Sequence, residues 1–585
     1  MRNINMMTIM KENVNGTKAK YMPNINNTAM KKLLLAFLTL VVLVSCEQLD
    51  PRPIQDLTTE DLWSHATYGE GILTTAYINL ETNYNIGLEY YTDNAVPSQP
   101  GANRLALGNW TVENNTISGW DGFYENIKYL NLFLENAKDL SYFVSDTEKD
   151  SLFNHYRYGE AYYLRAWYQW RLLQNYGGFP KDGNMALGYP IVTKALNVDD
   201  NLDLPRNTYE ECVQQIIADC DTAFNTIPLD YTDRRDPYIG RANRGRGSGL
   251  AAKTLKARVY LYAASPAFGN SNPETWSRAA EAAAEAIDAA GGLADLSAYG
   301  NFNTGTNYDY IWSSSTASRN DWEYMYYPPS LYGQGACNPS QNLVDAFPAS
   351  DGYPISESAA YDPNDPYNNR DSRLDKFIFY NGDEYKAGAN TYVIDTYVGG
   401  DDAPGGISFL GTRTGYYLKK FLSEKVSLNV GSVTSDYKFK VLLGKTELYL
   451  NFAEAANEAF GPYDDRYGFS AFEVMEKIRS RALGSIDDTY MKSQADAGKD
   501  AFRAFIHNER RVELCFEEQR FWDLRRWNED LNHSVKGVSI SQEGSGFTYE
   551  YTTVENHEYK DYMRFVPLPY DQTLIMTNLK QNQGW

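Results

Sequence analysis

The chain has 585 residues, 54 of them basic and 76 acidic, for a formal net charge of −22; it carries 47 tyrosines and 11 tryptophans. A field of that sign repels phosphate backbones and anionic lipid, so nucleic acid is not an expected partner. Five cysteines and five histidines with no CxxC, Cys/His or HExxH spacing argue against a disulfide framework, a zinc site or another cofactor.

The first legible element is "MKKLLLAFLTLVVLVSCEQLD", Met30 to Asp50. Its apolar run, Leu33 to Val44, would be roughly 18 Å long as a helix, against about 30 Å of bilayer hydrocarbon. Two lysines, a short apolar run and a small residue before a cut site is the layout of an export signal. Leu43-Val44-Ser45-Cys46 resembles the lipobox of bacterial lipoproteins, in which Cys46 is acylated and becomes the mature N-terminus. The polar stretch before it places the expected true start at Met30. Removing residues 1–45 takes away six basic residues and one acidic residue, leaving 48 against 75 and a net charge of −27.

From about 60 to 290 the chain reads as helices. Apolar residues recur at three- and four-residue spacings in "ENIKYLNLFLENAKDL", "YYLRAWYQWRLLQNYGGFP" and "NTYEECVQQIIADCDTAFNTIP". Gly177, Gly178 and Pro180 stop the second, and Thr208 caps the third with Glu210 and Glu211 in its first turn. "LAAKTLKARVYLYAAS" and "WSRAAEAAAEAIDAAGG" then form a helical hairpin with alanines at the close crossing, the pattern of tetratricopeptide-type repeats. A weaker copy is "KTELYLNFAEAANEAFGP" with "SAFEVMEKIRSRALG". Between 293 and 445 helical periodicity gives way to Tyr, Asn, Asp, Gly and Pro, with short strands expected at "YDYIWSSS" and "TYVIDTYVG". A helix over about 498–527 and a loop-rich tail end the chain. The expected fold is therefore mostly α: a tetratricopeptide-like helical-hairpin scaffold with a large irregular, loop-rich insertion. The regions are 1–45 (leader and signal), 46–292 (helical), 293–445 (irregular, ligand side) and 446–585 (helical region and tail).

These motifs together resemble the SusD/RagB family of outer-membrane nutrient-binding lipoproteins. The matching pieces are "YTDNAV", "WDGFYENIKYLN", "YLRAWYQWRLLQNYGGFP", "LPRNTYEECVQQIIADC", "LAAKTLKARVYLYAASP", "PSQNLVDAFPASDG", "NNRDSRLDKF", "YLNFAEAANEA", "IRSRALG", "IHNERRVELCFEEQRFWDLRRW" and the final "QNQGW". The resemblance implies a non-catalytic surface lipoprotein that lies as a lid over a SusC-like TonB-dependent transporter. Its ligands would be oligosaccharides, or peptides as in the RagB branch, and Glu47 and Asp50 look like a surface-export signal.

Chemistry has one tempting candidate, the segment "IHNERRVELCFEEQRFWDLRRW". On a continuous helix Glu513 and Glu517 would be i,i+4 neighbours roughly 5–6 Å apart, near the spacing of a retaining glycosidase. Arg510 and Arg520 within one turn favour instead a structural charge ladder, because an arginine lowers a carboxyl pKa that a general acid needs raised. "YDPNDPYNNRDSRLD" lacks the EF-hand register, so Asp362, Asp365 and Asp371 are expected to serve turns and not a metal. Binding is expected from rings in polar loops. Trp110 and Trp322 are the expected stacking residues, supported by Tyr324, Tyr327 and Tyr332, with Arg104 and Asn109 as polar contacts.

Overall fold

The computed structural model describes residues 59–231, 236, 239–268, 273–299, 309–484, 487–544 and 546–585, with Trp63–Trp585 forming one unit. Cys46 and the whole expected leader lie outside the described residues. Within that unit the scaffold is an array in which each helix packs on the next: Trp120–Asn136, Thr147–Tyr176, Tyr209–Thr226, Gly249–Ala264 and Pro273–Ala289. The array then skips some 150 residues. Pro273–Ala289 packs directly on Lys445–Phe460, which packs in turn on Ala471–Leu483 and Lys499–Glu513. Small side chains are gathered where these helices meet: Ala257 and Ala264, Ala279, Ala280, Ala283 and Ala286, and Ala453 and Ala456 are all buried in one cluster with Phe452 and Ile478. Alanine there lets the backbones approach while neighbouring rings fill the flanks.

Local chemistry sets the helix ends. Thr208 accepts from the Glu211 backbone N–H and Glu211 reaches back to the Thr208 N–H, a full capping box; Ser470 and Glu473 repeat it. The glycines after Tyr176 serve close approach and not a left-handed turn. A Cβ on Gly177 would lie 2.7 Å from the Leu173 carbonyl, and one on Gly178 would meet Asn582 at the same distance. The chain end is sewn in there: Gln583 donates to the Phe179 carbonyl, and Arg206 donates to Asn582 Oδ1 (2.8 Å) and the Lys580 carbonyl (3.0 Å).

The irregular half leaves and rejoins the array through nested antiparallel pairs. Tyr310–Ser313 pairs with Val441–Gly444, and just inside it Ala317–Arg319 pairs with Asp436–Lys438. Tying both ends of the insertion together is what allows the helical array to continue. Of the expected strands, "YDYIWSSS" holds Tyr310–Ser313, and "TYVIDTYVG" is strand only at its start, within Asn390–Val393.

Two elements depart from the sequence reading. The helix expected over 498–527 is broken: Lys499–Glu513 and Gln519–Arg526 are separated by a turn in which Phe516 and Glu518 hold φ of 66° and 67°. The tail is not simply loop-rich, because Ser534–Glu543 and Gly546–Asn556 form the longest β-hairpin among the described residues.

Candidate functional site

Buried charge holds the site's framework in place. In the "DN" motif, the Asp93 carboxylate accepts from Arg520 Nε (2.9 Å) and is ion-paired with Arg511 Nη2 (3.0 Å), while Asn94 Oδ1 accepts from Arg511 Nε (2.8 Å). Burial works to raise the Asp93 pKa, and the two arginines overcome it and hold the carboxyl well below its usual range. Behind Asn94, Glu89 is enclosed with little compensation, and burial pushes its pKa up to about 7.

The broken helix changes the partners of Glu513 and Glu517. They are not stacked on one helical stripe, and neither uses Arg510 or Arg520. Glu513 takes Arg373 (3.0 Å) and Arg481 (2.8 Å); Glu517 takes Lys420 (2.7 Å); Arg510 and Arg520 go to Asp523 and Asp93. The Glu517 pKa is raised, by burial first, with Lys420 opposing, so the expected arginine-lowered carboxyl is corrected to a lysine-paired, desolvated one. In the Asp-rich loop, Asp371 caps the Ser372–Phe377 helix and grips Arg373, and Asp362 and Asp365 accept from Asn364 and Asn368.

The two expected loops leave one ribbon. Ala95–Pro97 pairs with Cys337–Pro339, and beyond it Ser98 N donates to the Ala336 carbonyl at 3.1 Å. The loop carrying Arg104 and Asn109 therefore departs beside the arriving 324–336 segment, and both side chains are exposed. Trp110 does not stay with them. It is 1 % exposed, with Trp585 and Tyr559 edge-on to it at 5.1 and 6.4 Å and its Nε1 on Asn115 Oδ1. Chain segments from some 450 residues away have covered both its faces, so it has none to offer a sugar.

Trp322 is likewise inside. It sits in the short Asp321–Tyr326 helix, edge-on to Tyr84 and Phe421, with its indole N–H on Asn83 at 3.0 Å; beside it opens a cleft of about 140 Å³. Tyr327 is fully buried, its hydroxyl donating to the Ser423 and Val426 carbonyls. These two act as roots, and the rings that reach solvent are Tyr324 at 51 % and Tyr332 at 50 % exposure.

The loop presenting those rings is closed on itself. Gln334, Gly335 and Ala336 donate to the carbonyls of Tyr324, Tyr327 and Met325 at 2.8–2.9 Å. Gly333 and Gly335 are obligatory, since a Cβ would lie 2.2 Å from the Tyr327 carbonyl or 2.4 Å from the Tyr417 ring. Tyr332 itself holds φ of 66°, a left-handed conformation that costs a non-glycine residue roughly 1–2 kcal/mol. Next to this loop Asp402 Oδ1 accepts from Ser330 N (2.8 Å), which brings up the 395–411 segment, whose Phe409 is 90 % exposed with Ile407 and Leu410 also outward. No residue-type pattern in 395–411 marks it as a binding loop, and the sequence reading missed it. A cleft of about 710 Å³ between Ala471–Leu483 and Thr489–Asp496 holds none of the expected binding residues.

A helical array interrupted by a ribbon-tied irregular half is the architecture of the SusD-like proteins. A SusD-like protein of Bacteroides fragilis superposes with a TM-score of 0.72 at 23% identity, covering 90% of this chain and 99% of that one. A SusD-like carbohydrate-binding protein of the same species gives 0.67 at 19%, covering 88% and 99%. In sequence, a SusD-like protein of Formosa agariphila is 22% identical over 83% of this chain and 87% of its own length; a second is 28% identical over 40% and 42%. The SusD family model matches residues 285–585, just over half of the chain, and the model described as "starch-binding associating with outer membrane" matches residues 64–261. The chain belongs to the SusD family.

Proposed function

We propose that this protein is a non-catalytic, lipid-anchored surface component of a Gram-negative outer membrane that captures an oligosaccharide and passes it to a SusC-like TonB-dependent transporter. The helical regions 46–292 and 446–585 serve as scaffold, 293–445 faces the ligand, and Cys46 carries the acyl chains. Two chains or more are needed, because a single one anchors only marginally. Family membership, the starch-binding description of the model matched by 64–261, and the carbohydrate-binding relative support a glycan as the ligand. Among the described residues no helix is long and apolar enough to cross a membrane.

One observation carries the assignment of the site: Tyr332 is held in a left-handed conformation and still presents half of its ring to solvent. Strain of that kind persists where the surrounding structure over-determines it, and it clusters at ligand sites. Tyr324 and Tyr332 therefore offer flat apolar faces to sugar C–H surfaces, with Arg104 and Asn109 as candidate partners for hydroxyls.

Affinity electrophoresis against a glycan panel tests this. Tyr324→Ala and Tyr332→Ala should migrate faster than the parent through gels containing the ligand glycan. Tyr332→Gly should lose the same retardation while melting no lower than Tyr332→Ala, because glycine relieves the backbone strain at φ 66°. Unchanged mobility of all three on a glycan that retards the parent would discard the tyrosine platform. Calorimetric binding of peptides in place of glycans would move the reading to peptide capture, and released reducing ends would move it to a glycosidase.

A further inference from the structure

Arg525, in the Gln519–Arg526 helix, is enclosed by protein. Its Nη1 donates to the Phe521 carbonyl one turn back at 3.1 Å, and no carboxylate reaches Nε or Nη2. The guanidinium lies 3.5 Å from the Phe521 ring centroid, 5.4 Å from Tyr559 and 5.7 Å from Trp110. The Tyr559 hydroxyl donates its proton to the Tyr91 carbonyl at 2.9 Å, which leaves its oxygen free to accept from the guanidinium, but it is a neutral partner and brings no counter-charge.

The carboxylates nearby are already matched. Arg526 takes both oxygens of Glu454 (2.5 and 2.7 Å) and one of Asp523 (2.8 Å), and Arg510 takes the other oxygen of Asp523 (2.8 Å). His507, beside Glu454, has a pKa lowered to about 4, chiefly by burial, and adds no charge at neutral pH. Two arginines against two carboxylates leave Arg525 without a counter-charge.

A cavity of about 20 Å³ is lined by Arg525, Arg526, Arg564 and Gln174, with the rings of Tyr209 and Tyr262; no carboxylate lines it. Arg564 adds a second positive charge there, and the acidic groups that face it, Glu529, Asp530 and Asp561, stand exposed at the surface. The volume suits one water-sized particle.

We propose that this cavity binds a chloride-sized monovalent anion, held by Arg525, which locks the Phe565–Val566 segment onto the end of the helical array. The site is separate from the glycan reading and stands or falls without it.

Melting curves of the soluble chain in sodium chloride and in sodium gluconate of equal ionic strength test the proposal. The parent should melt higher in chloride, by about 1 °C at a tenfold excess over Kd and more as chloride rises. Arg525→Met should show no chloride–gluconate difference. Parent crystals soaked in sodium bromide should show an anomalous peak beside Arg525, a readout that decides the matter even if the methionine variant does not fold. A chloride effect of equal size in parent and variant, or bromide-soaked parent crystals without that peak, would overturn the proposal.

Discussion

The Arg373 guanidinium has no exposed surface and meets three carboxylates: Asp371 at 2.6 Å, Glu509 at 2.9 Å and Glu513 at 3.0 Å. Arg479 and Arg481 share Glu509 and Glu513 with it and reach Asp488 and Asp309 in turn. Its fork therefore joins the "NNRDSRLDKF" stretch of the irregular half to "IRSRALG" and "IHNERRVEL" of the scaffold. A lysine offers one point charge where a planar fork is used, so Arg373→Lys leaves carboxylates buried and underpaired. Removing one member of such a network costs about 3–5 kcal/mol. Chemical denaturation of Arg373→Lys should show a loss of that order, and a midpoint within error of the parent would mean the network is solvated and carries no such weight. This network was not legible in the sequence. The arginines and acids were all visible, but the pairs that join separate segments span 30 to 172 residues, and spacing along one helix pointed to the wrong pairs.

Among the helices and strands, those whose code is local were legible in the sequence, and those that depend on distant chain were not. The cap at Thr208, the alanine-lined hairpin and the strands at 310–313 and 390–393 rest on residues within a turn or two of one another, and the box at Ser470, equally local, was overlooked. The hairpin 534–556 was overlooked although its code is present: Val535, Val538 and Ile540 point inward and polar residues outward, with Gly544 at φ 62° in the turn. Its inner face closes on the 395–415 loops, through Val538 N to the Thr414 carbonyl and Val398 N to the Ile540 carbonyl. The helix break at 514–518 has no proline or glycine to announce it; Lys420 reaching the Glu513 and Cys515 carbonyls (2.7 and 3.1 Å) holds it. Trp110 and Trp322 failed as exposed rings for the same reason, since polar neighbours in sequence do not reveal which remote segment will cover a ring. The caps give a clean test at this level. Ser470→Ala removes one half of a buried box and should cost about 1 kcal/mol, read as a lower denaturation midpoint with an unchanged slope. Thr208→Ala, in a more exposed box, should cost less.

Across the protein as a whole, buried titratable groups of opposite sign set how stability responds to pH. His507 and His557 have pKa values lowered to about 4, chiefly by burial. A histidine depressed from about 6.5 contributes stability that is complete above pH 6.5 and is lost as pH falls toward 4. Glu89, raised to about 7, and Asp383, raised to about 6, both by burial, act in reverse. Each keeps a proton in the folded state that the unfolded chain gives up near pH 4, so its contribution is present at low pH and lost as pH rises through the folded value. Between pH 5 and 6 unfolding takes up protons on the histidines and releases them from the two carboxyls, so the two kinds of group oppose each other. Below pH 4 the balance ends, because Glu454, held down to about 2 against the effect of burial by Arg526, and Asp93, held lower still, must be protonated. The parent should therefore lose stability steeply below pH 4. Glu89→Gln removes one of the opposing groups while keeping a neutral amide beside Asn94. Its stability should then change with pH across 5 to 6 more positively than the parent's, by about 1 kcal/mol per pH unit. Denaturant midpoints measured at several pH values for both proteins decide it; parallel curves would show that Glu89 is ionised in the folded state and that its burial is relieved by water.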